Sequence, residues 1–129
     1  MTSKPGSAAA SSSATALDAA AVARLRELDP TGQHGVVARV LATFDASLRR
    51  LLAQLEAERG SANAAVVGGI AHTLKSSSAS VGALGLAAAC AEIEARLRAG
   101  DTAALQSDID RMLAEGQAAL RAVAAMTQP

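Results

Sequence analysis

One apolar seam constrains this chain more than any other feature. Val37, Leu41, Phe44, Leu48, Leu51 and Leu55 recur at steps of four, three, four, three and four residues. At 3.6 residues per turn that spacing puts all six on one side of a helix, a sustained stripe suited to packing in a bundle. Arg39, Asp45, Arg49, Glu56 and Arg59 fall on the other faces. Gly60-Ser61 then offers a stop, followed by a candidate N-cap for the next helix.

The same period recurs on either side of the seam. Before it, Leu17, Ala21, Leu25 and Leu28 mark one face of a short helix, which Asp29-Pro30 ends because the residue before proline avoids the α region. After it, a helix is predicted from about Asn63 to Val81, with Val66, Ile70, Leu74, Ser77 and Val81 as its buried stripe and Gly82 as its C-cap. A further helix from about Leu84 to Ala99 turns Leu86, Cys90, Ile93 and Leu97 inward. Beyond the Gly100-Asp101 break, Leu105, Ile109, Met112, Gly116, Leu120 and Val123 define the last. Connections this short make successive helices antiparallel neighbours. The predicted fold is all-α: an up-and-down antiparallel four-helix bundle over residues 17–129, with a short additional helix at its N-terminal end. Residues 1–16, rich in Ser and Ala, offer almost nothing to bury and read as a flexible tail or linker.

Composition agrees and narrows the function. Of 129 residues half are apolar, yet aromatics make up 1% and there is no Trp or Tyr. A core of Ala, Leu, Val and Ile favours helices over a sheet. The formal net charge of zero gives no electrostatic footprint for nucleic acid. No apolar run approaches the roughly 20 residues needed to span a bilayer. There are no Lys-rich polar faces and no Trp anchors of the kind that let an amphipathic helix bind a membrane directly. The N-terminal stretch lacks the compact apolar core of a secretory signal, and one cysteine, Cys90, fits a reducing compartment. A cytoplasmic location is expected.

His72 is where the chemistry concentrates. It lies about 200° around the helix from both Ile70 and Leu74, so it faces away from the core near the middle of a bundle helix. Gly68 and Gly69 lie one turn back on its face, with Ala65 further back. Lys75 and Ser76 lie one turn forward, and Ala79 two turns forward. An exposed imidazole therefore stands on a surface cleared of bulk, with one ammonium group at i+3. Neutral imidazole is a competent nucleophile near neutral pH. Phosphoryl transfer asks mainly for positioning and charge stabilisation, which a nearby cation supplies. Lysine is scarce in this chain, with Lys4 and Lys75 set against ten arginines. On periodicity alone, a solvated surface histidine remains the plain alternative. The paired glycines, each costing about 1 kcal/mol against alanine in a helix interior, ask for a reason. Either a partner approaches closely there or a neighbouring helix packs closely.

The stretch Ala71-His72-Thr73-Leu74-Lys75-Ser76-Ser77-Ser78, followed by Val81-Gly82-Ala83, resembles the phosphorylation motif of histidine phosphotransfer (HPt) domains, A-H-x-L-K-G-S-S-x-x-x-G-A. Leu28-Asp29, Phe44, Leu86, Cys90, Ile93, Glu94 and the Arg98-Ala99-Gly100-Asp101 break are also similar to the family, so the resemblance covers about residues 17–126. It implies that His72 is a phosphoacceptor, Lys75 a phosphoryl-stabilising cation, Leu74 a core position of the motif and Gly82 the turn that ends the helix. It further implies a phosphorelay intermediate that takes a phosphoryl group from a receiver-domain phosphoaspartate and passes it to another receiver aspartate. Such a domain is a carrier with no autonomous turnover. Its partners are response-regulator receiver domains and a sensor (hybrid) histidine kinase, and receivers would dock on the face of Ala65, Gly68, Gly69, Ser76 and Ala79. The domain needs no cofactor of its own, since the Mg²⁺ belongs to the receiver. Ser76 departs from the family's usual glycine, and its hydroxymethyl group either crowds the approach slightly or donates a hydrogen bond to the phosphoryl group.

The other polar residues have plainer readings. His34 sits in a turn without a nearby cation and reads as solvated, Cys90 as a small core residue, and Asp101, Asp108 and Asp110 as capping or solvated carboxylates. Two scattered histidines and one cysteine have no metal-ligand spacing, so no metal site is expected. The competing function is an HPt-like docking module that is never phosphorylated and binds a receiver or kinase to inhibit it. Such a module would need neither His72 nor Lys75.

Overall fold

The computed structural model describes residues 16–61 and 63–127, so the predicted tail, apart from Ala16, lies outside the described residues. Five helices and no strand occur among the described residues: α1 Ala19–Glu27, α2 Val36–Ala57, α3 Ala64–Val81, α4 Leu84–Arg98 and α5 Leu105–Thr127. Helices α2 to α5 form the up-and-down bundle, and α1 lies across α2 and α3.

The predicted seam of α2 is buried from Leu41 to Leu55, with Leu52 added, and it meets Leu74, Leu86, Ile93, Ile109 and Met112 in one core. Where α2 meets α5 the approach is close. A Cβ built on Gly116 would sit 2.6 Å from Leu52 Cδ2, so glycine is what lets these two helices come together. Ion pairs clip the bundle at its rim: Arg59 Nη1, in the turn after α2, to Asp110 Oδ1 of α5 at 2.6 Å, and Arg111 Nη1 to Glu92 Oε1 at 2.7 Å between α5 and α4.

Helix ends follow side-chain chemistry, and here several expectations are corrected. The N-cap of α3 is Asn63, whose Oδ1 accepts from the backbone N–H groups of Ala65 and Val66. Ser61, the expected cap, donates to Glu58 instead. Asp29, read as a helix stop, is buried, and its Oδ2 accepts from the amides of His34 and Val36 at 2.9 and 3.3 Å, which ties down the start of α2. Leu28, predicted to face inward, is 68% exposed. Helix α1 starts only at Ala19, capped by Asp18, and ends at Glu27. Val22 is therefore buried beside Ala21, and Leu28 falls beyond the helix.

The stripe of α3 is rotated from the predicted one. Val67 and Ser78 are fully buried, whereas Val66 is exposed and Ser77 only half-buried. The cause is α4, against which α3 packs more extensively than any other pair of helices. Ala71, Ser78, Ala89 and Cys90 are all completely buried, and such small side chains let two helices approach closely. Burial on α3 thus shifts toward Ala71 and Ser78. Gly82 ends α3 in the left-handed conformation, φ 84°, with Ala83 N–H donating to the Ser78 carbonyl at 2.8 Å. A Cβ there would lie 2.7 Å from the backbone nitrogen of Asp18, which itself donates to the Gly82 carbonyl. The same glycine therefore ends α3 and seats the start of α1.

Candidate functional site

His72 stands on the outer face of α3, between the core residues Ile70 and Leu74, with 67% of its side chain exposed. The ring is nonetheless held. Its Nδ1 lies 2.7 Å from Oε2 of Glu94, a residue of α4 whose side chain is 8% exposed. The other carboxylate oxygen, Oε1, takes Lys75 Nζ at 2.7 Å, and Arg98 Nη2 reaches Oε2 at 2.6 Å. One nearly buried carboxylate thus gathers the imidazole and two permanent cations.

This arrangement fixes the tautomer. Hydrogen bonds from Lys75 and His72, helped by the charges of Lys75 and Arg98, hold the Glu94 carboxyl down at about 2 against the opposing effect of burial. At neutral pH the group is a carboxylate, which only accepts hydrogen bonds, so Nδ1 must carry the proton it shares. A neutral ring then presents its lone pair on Nε2, on the opposite edge, where no hydrogen bond forms with any described residue. A nucleophilic nitrogen of defined direction is the result.

The predicted site residues fall into three groups. His72 and Lys75 come together, though through Glu94, so that Lys75 is engaged by an anion in this state. Ala65, Gly69, Ser76 and Ala79 lie exposed along the His72 face, while Gly68 is half-buried. Leu74 is core and Gly82 is the buried turn. The two glycines before His72 are not demanded by the bundle. A Cβ on Gly69 would meet nothing within 4 Å, and one on Gly68 would make an ordinary contact with Leu97 at 3.7 Å. Of the two reasons the sequence left open, close packing of a neighbouring helix is the one this geometry removes.

Glu94 and Arg98 were missed as site residues. Glu94 follows Cys90 by four residues and precedes Leu97 by three, which places a carboxylate on the buried side of α4. Such a group needs partners, and this was the available signal. The i,i+4 spacing of Glu94 and Arg98 was legible, but nothing in the order of residues joins Glu94 to a histidine 22 positions earlier. Helix α4 also adds exposed apolar residues, with Ala91 on the Glu94 side and Leu84, 51% exposed, at its start.

The remaining polar residues keep structural roles. His34 is exposed, and Cys90 is fully buried with its thiol pushed up to about 12 by burial. Asp108 corrects the solvated reading: it is buried and ion-paired with Arg96. Asp110 pairs with Arg59, and Asp101 accepts from the Ala103 amide. Among the described residues no cluster of His, Cys, Asp and Glu is suited to a metal ion, and no helix is long and apolar enough to cross a membrane.

Comparison with known proteins points the same way. The family model for the Hpt domain matches residues 39–126. The crystal structure of histidine-containing phosphotransfer protein B (HptB) from Pseudomonas aeruginosa PAO1 superposes with a TM-score of 0.68 at 28% sequence identity, covering 81% of this chain and 87% of that one. No curated protein sequence matches the chain. With the family match extending over more than half of its residues, and with the bundle and exposed histidine to support it, the chain belongs to the Hpt domain family of phosphorelay phosphotransfer modules.

Proposed function

We propose that this protein is a phosphorelay intermediate that carries a phosphoryl group on Nε2 of His72, received from a receiver-domain phosphoaspartate and passed to the aspartate of another receiver. The observation that carries the reading is the Nδ1–Glu94 hydrogen bond on an otherwise exposed ring. It holds the imidazole without covering Nε2.

The transfer then balances without a mobile proton. The Nε2 lone pair attacks phosphorus in line, the bond from phosphorus to the aspartyl oxygen breaks, and that electron pair leaves with the receiver carboxylate. Nδ1 keeps its hydrogen throughout, and the positive charge gained by the phosphorylated ring faces the Glu94 anion. Lys75 lies next to the site, ready to offset charge on the phosphoryl oxygens. Reversal of the same steps delivers the group onward. In this reading Mg²⁺ belongs to the receiver, the domain brings no cofactor, and it turns nothing over by itself. Sensor kinases and receivers are its partners, and the cytoplasm is its location. Ala65, Gly69, Ser76 and Ala79 of α3, with Ala91 and Leu84 of α4, form the exposed small and apolar face on which a receiver would seat, a surface suited to a transient interface.

The test is phosphoryl transfer from a phosphorylated receiver with Mg²⁺, comparing wild type with His72→Gln. Acid-labile, base-stable label on wild type alone supports the carrier. Binding without label on wild type, across several receivers, would replace it with the inhibitory docking module.

A further inference from the structure

The serines that follow His72 use their hydroxyls differently. Ser77 Oγ donates to the Thr73 carbonyl at 3.3 Å and Ser80 Oγ to the Ser76 carbonyl at 3.1 Å, each folding back one turn along α3. Ser78 is completely buried. Ser76 is the one of the four that is exposed and whose hydroxyl meets no hydrogen-bond partner among the described residues. Its place on the helix is specific. At 100° per residue, Ser76 lies about 40° around α3 from His72 in one direction and Lys75 about 60° in the other. The Lys75 side is the α4 side: Lys75 reaches Glu94, a Cβ on Gly68 would touch Leu97, and Ala71 is buried there. Glu94 holds Nδ1 of His72 toward that same side. Nε2 therefore faces away from α4, toward the side on which Ser76 stands.

We propose, building on the phosphocarrier reading of His72, that the Ser76 hydroxyl binds the phosphoryl group, donating a hydrogen bond to one of its oxygens once Nε2 is phosphorylated. Lys75 then meets the group from the α4 side and Ser76 from the other. A serine one turn from His72 could crowd a partner or donate to the phosphoryl group, and the geometry favours donation. A helical side chain leans over the turn that precedes it, so the hydroxymethyl group of Ser76 leans back toward His72. It is far shorter than the imidazole, which leaves the outer approach to the ring open. No contact within the protein is lost when the bond forms, because the hydroxyl has only water to give up. Phosphoryl oxygens carry close to two negative charges near neutral pH, and a charged acceptor makes the stronger bond. The gain therefore falls on the phosphorylated form alone. No covalent bond changes at Ser76.

The measurement is the equilibrium partition of label between phosphohistidine and a phosphorylated receiver, taken at concentrations too low for the two proteins to remain bound. Ser76 lies on the proposed docking face, so a transfer rate would mix docking with phosphoryl binding. An equilibrium between free species is indifferent to docking and reads the stability of the phosphohistidine itself. Ser76→Ala, which keeps the Cβ, and Ser76→Gly, which removes it, should both shift the partition toward the receiver by about threefold, the size of one exposed hydrogen bond. An equal shift in two variants of different bulk marks the hydroxyl as the cause. A partition unchanged in Ser76→Ala, with wild type labelled, overturns the proposal and leaves the carrier function intact. Faster transfer by Ser76→Gly with both partitions unchanged would show that the side chain only narrows the approach. A shift confined to Ser76→Gly also overturns it, since the backbone rather than the hydroxyl would then be responsible. A wild type that takes no label overturns the carrier reading, and this proposal with it.

Discussion

The two helix pairs of this bundle are built on different rules. Between α2 and α5, large side chains interlock and Gly116 is needed because Leu52 occupies the space where a Cβ would stand. Between α3 and α4, small side chains bring the backbones together, and the glycines on the outer face, Gly68 and Gly69, answer to nothing inside the molecule. The first pair is a scaffold. The second is a low platform, with a nearly buried carboxylate at its edge that holds one imidazole. The difference teaches that a helix glycine has to be read from the space its missing Cβ leaves: occupied by a neighbour it serves the fold, and open to solvent it is not required by the fold and fits the docking face proposed for a receiver.

The largest effect that could break this contrast lies in the scaffold. Leu48 is fully buried in the α2 seam, and Leu48→Ala should cost about 2–5 kcal/mol in chemical denaturation, while the fraction that stays folded transfers phosphate normally. The reverse should hold on the platform. Ala79→Arg, at an exposed position two turns from His72, should slow transfer from a cognate receiver about tenfold by setting bulk and charge against the partner, with helical circular dichroism unchanged. Normal transfer in that variant would remove this face from the interface.

The same substitution in the two regions sharpens the comparison. Gly116→Ala should destabilise the bundle by about 1–3 kcal/mol, because the added methyl must displace Leu52. Gly69→Ala should stabilise it by up to about 1 kcal/mol, since alanine is the better helix former and meets no neighbour, yet transfer should slow. Equal signs in thermal denaturation would show that the two glycines do the same work.

The scaffold was the more legible of the two. Five of the six leucine and phenylalanine positions that α2 buries lie on the 4-3 seam, because large apolar groups have to go inside and their spacing reports the direction. The platform was legible only in part. His72 could be placed outward because Ile70 and Leu74 frame it, and Lys75 because it follows one turn later. The exact rotation of α3 was not legible: Val66 was favoured over Val67, and Ser77 over Ser78. Two neighbouring valines or serines carry no directional signal of their own, and the choice is made by how closely α4 approaches. Glu94 escaped for a related reason, since an ion cluster across two helices depends on their register.

The smallest predicted effect concerns pH. Glu94 has its carboxyl lowered from the usual 4.5 to about 2 in the folded chain, so its ionised form favours the fold. That contribution is complete above about 4.5, and it declines as pH falls toward 2 and the carboxylate takes up its proton. The stability difference between wild type and Glu94→Gln should therefore shrink across that window. A difference that stays constant from pH 5 to 2 would mean that the ion cluster does not form in solution.

The central claim is that Glu94 holds the Nδ1 proton so that Nε2 of His72 carries the phosphoryl group. The most direct test is ³¹P and ¹⁵N NMR of the chain labelled at its histidine nitrogens and phosphorylated by a receiver. A single phosphohistidine, bonded through Nε2 of His72 with Nδ1 still protonated, is the result the structure predicts. Phosphorus on Nδ1, or on any other residue, would contradict it.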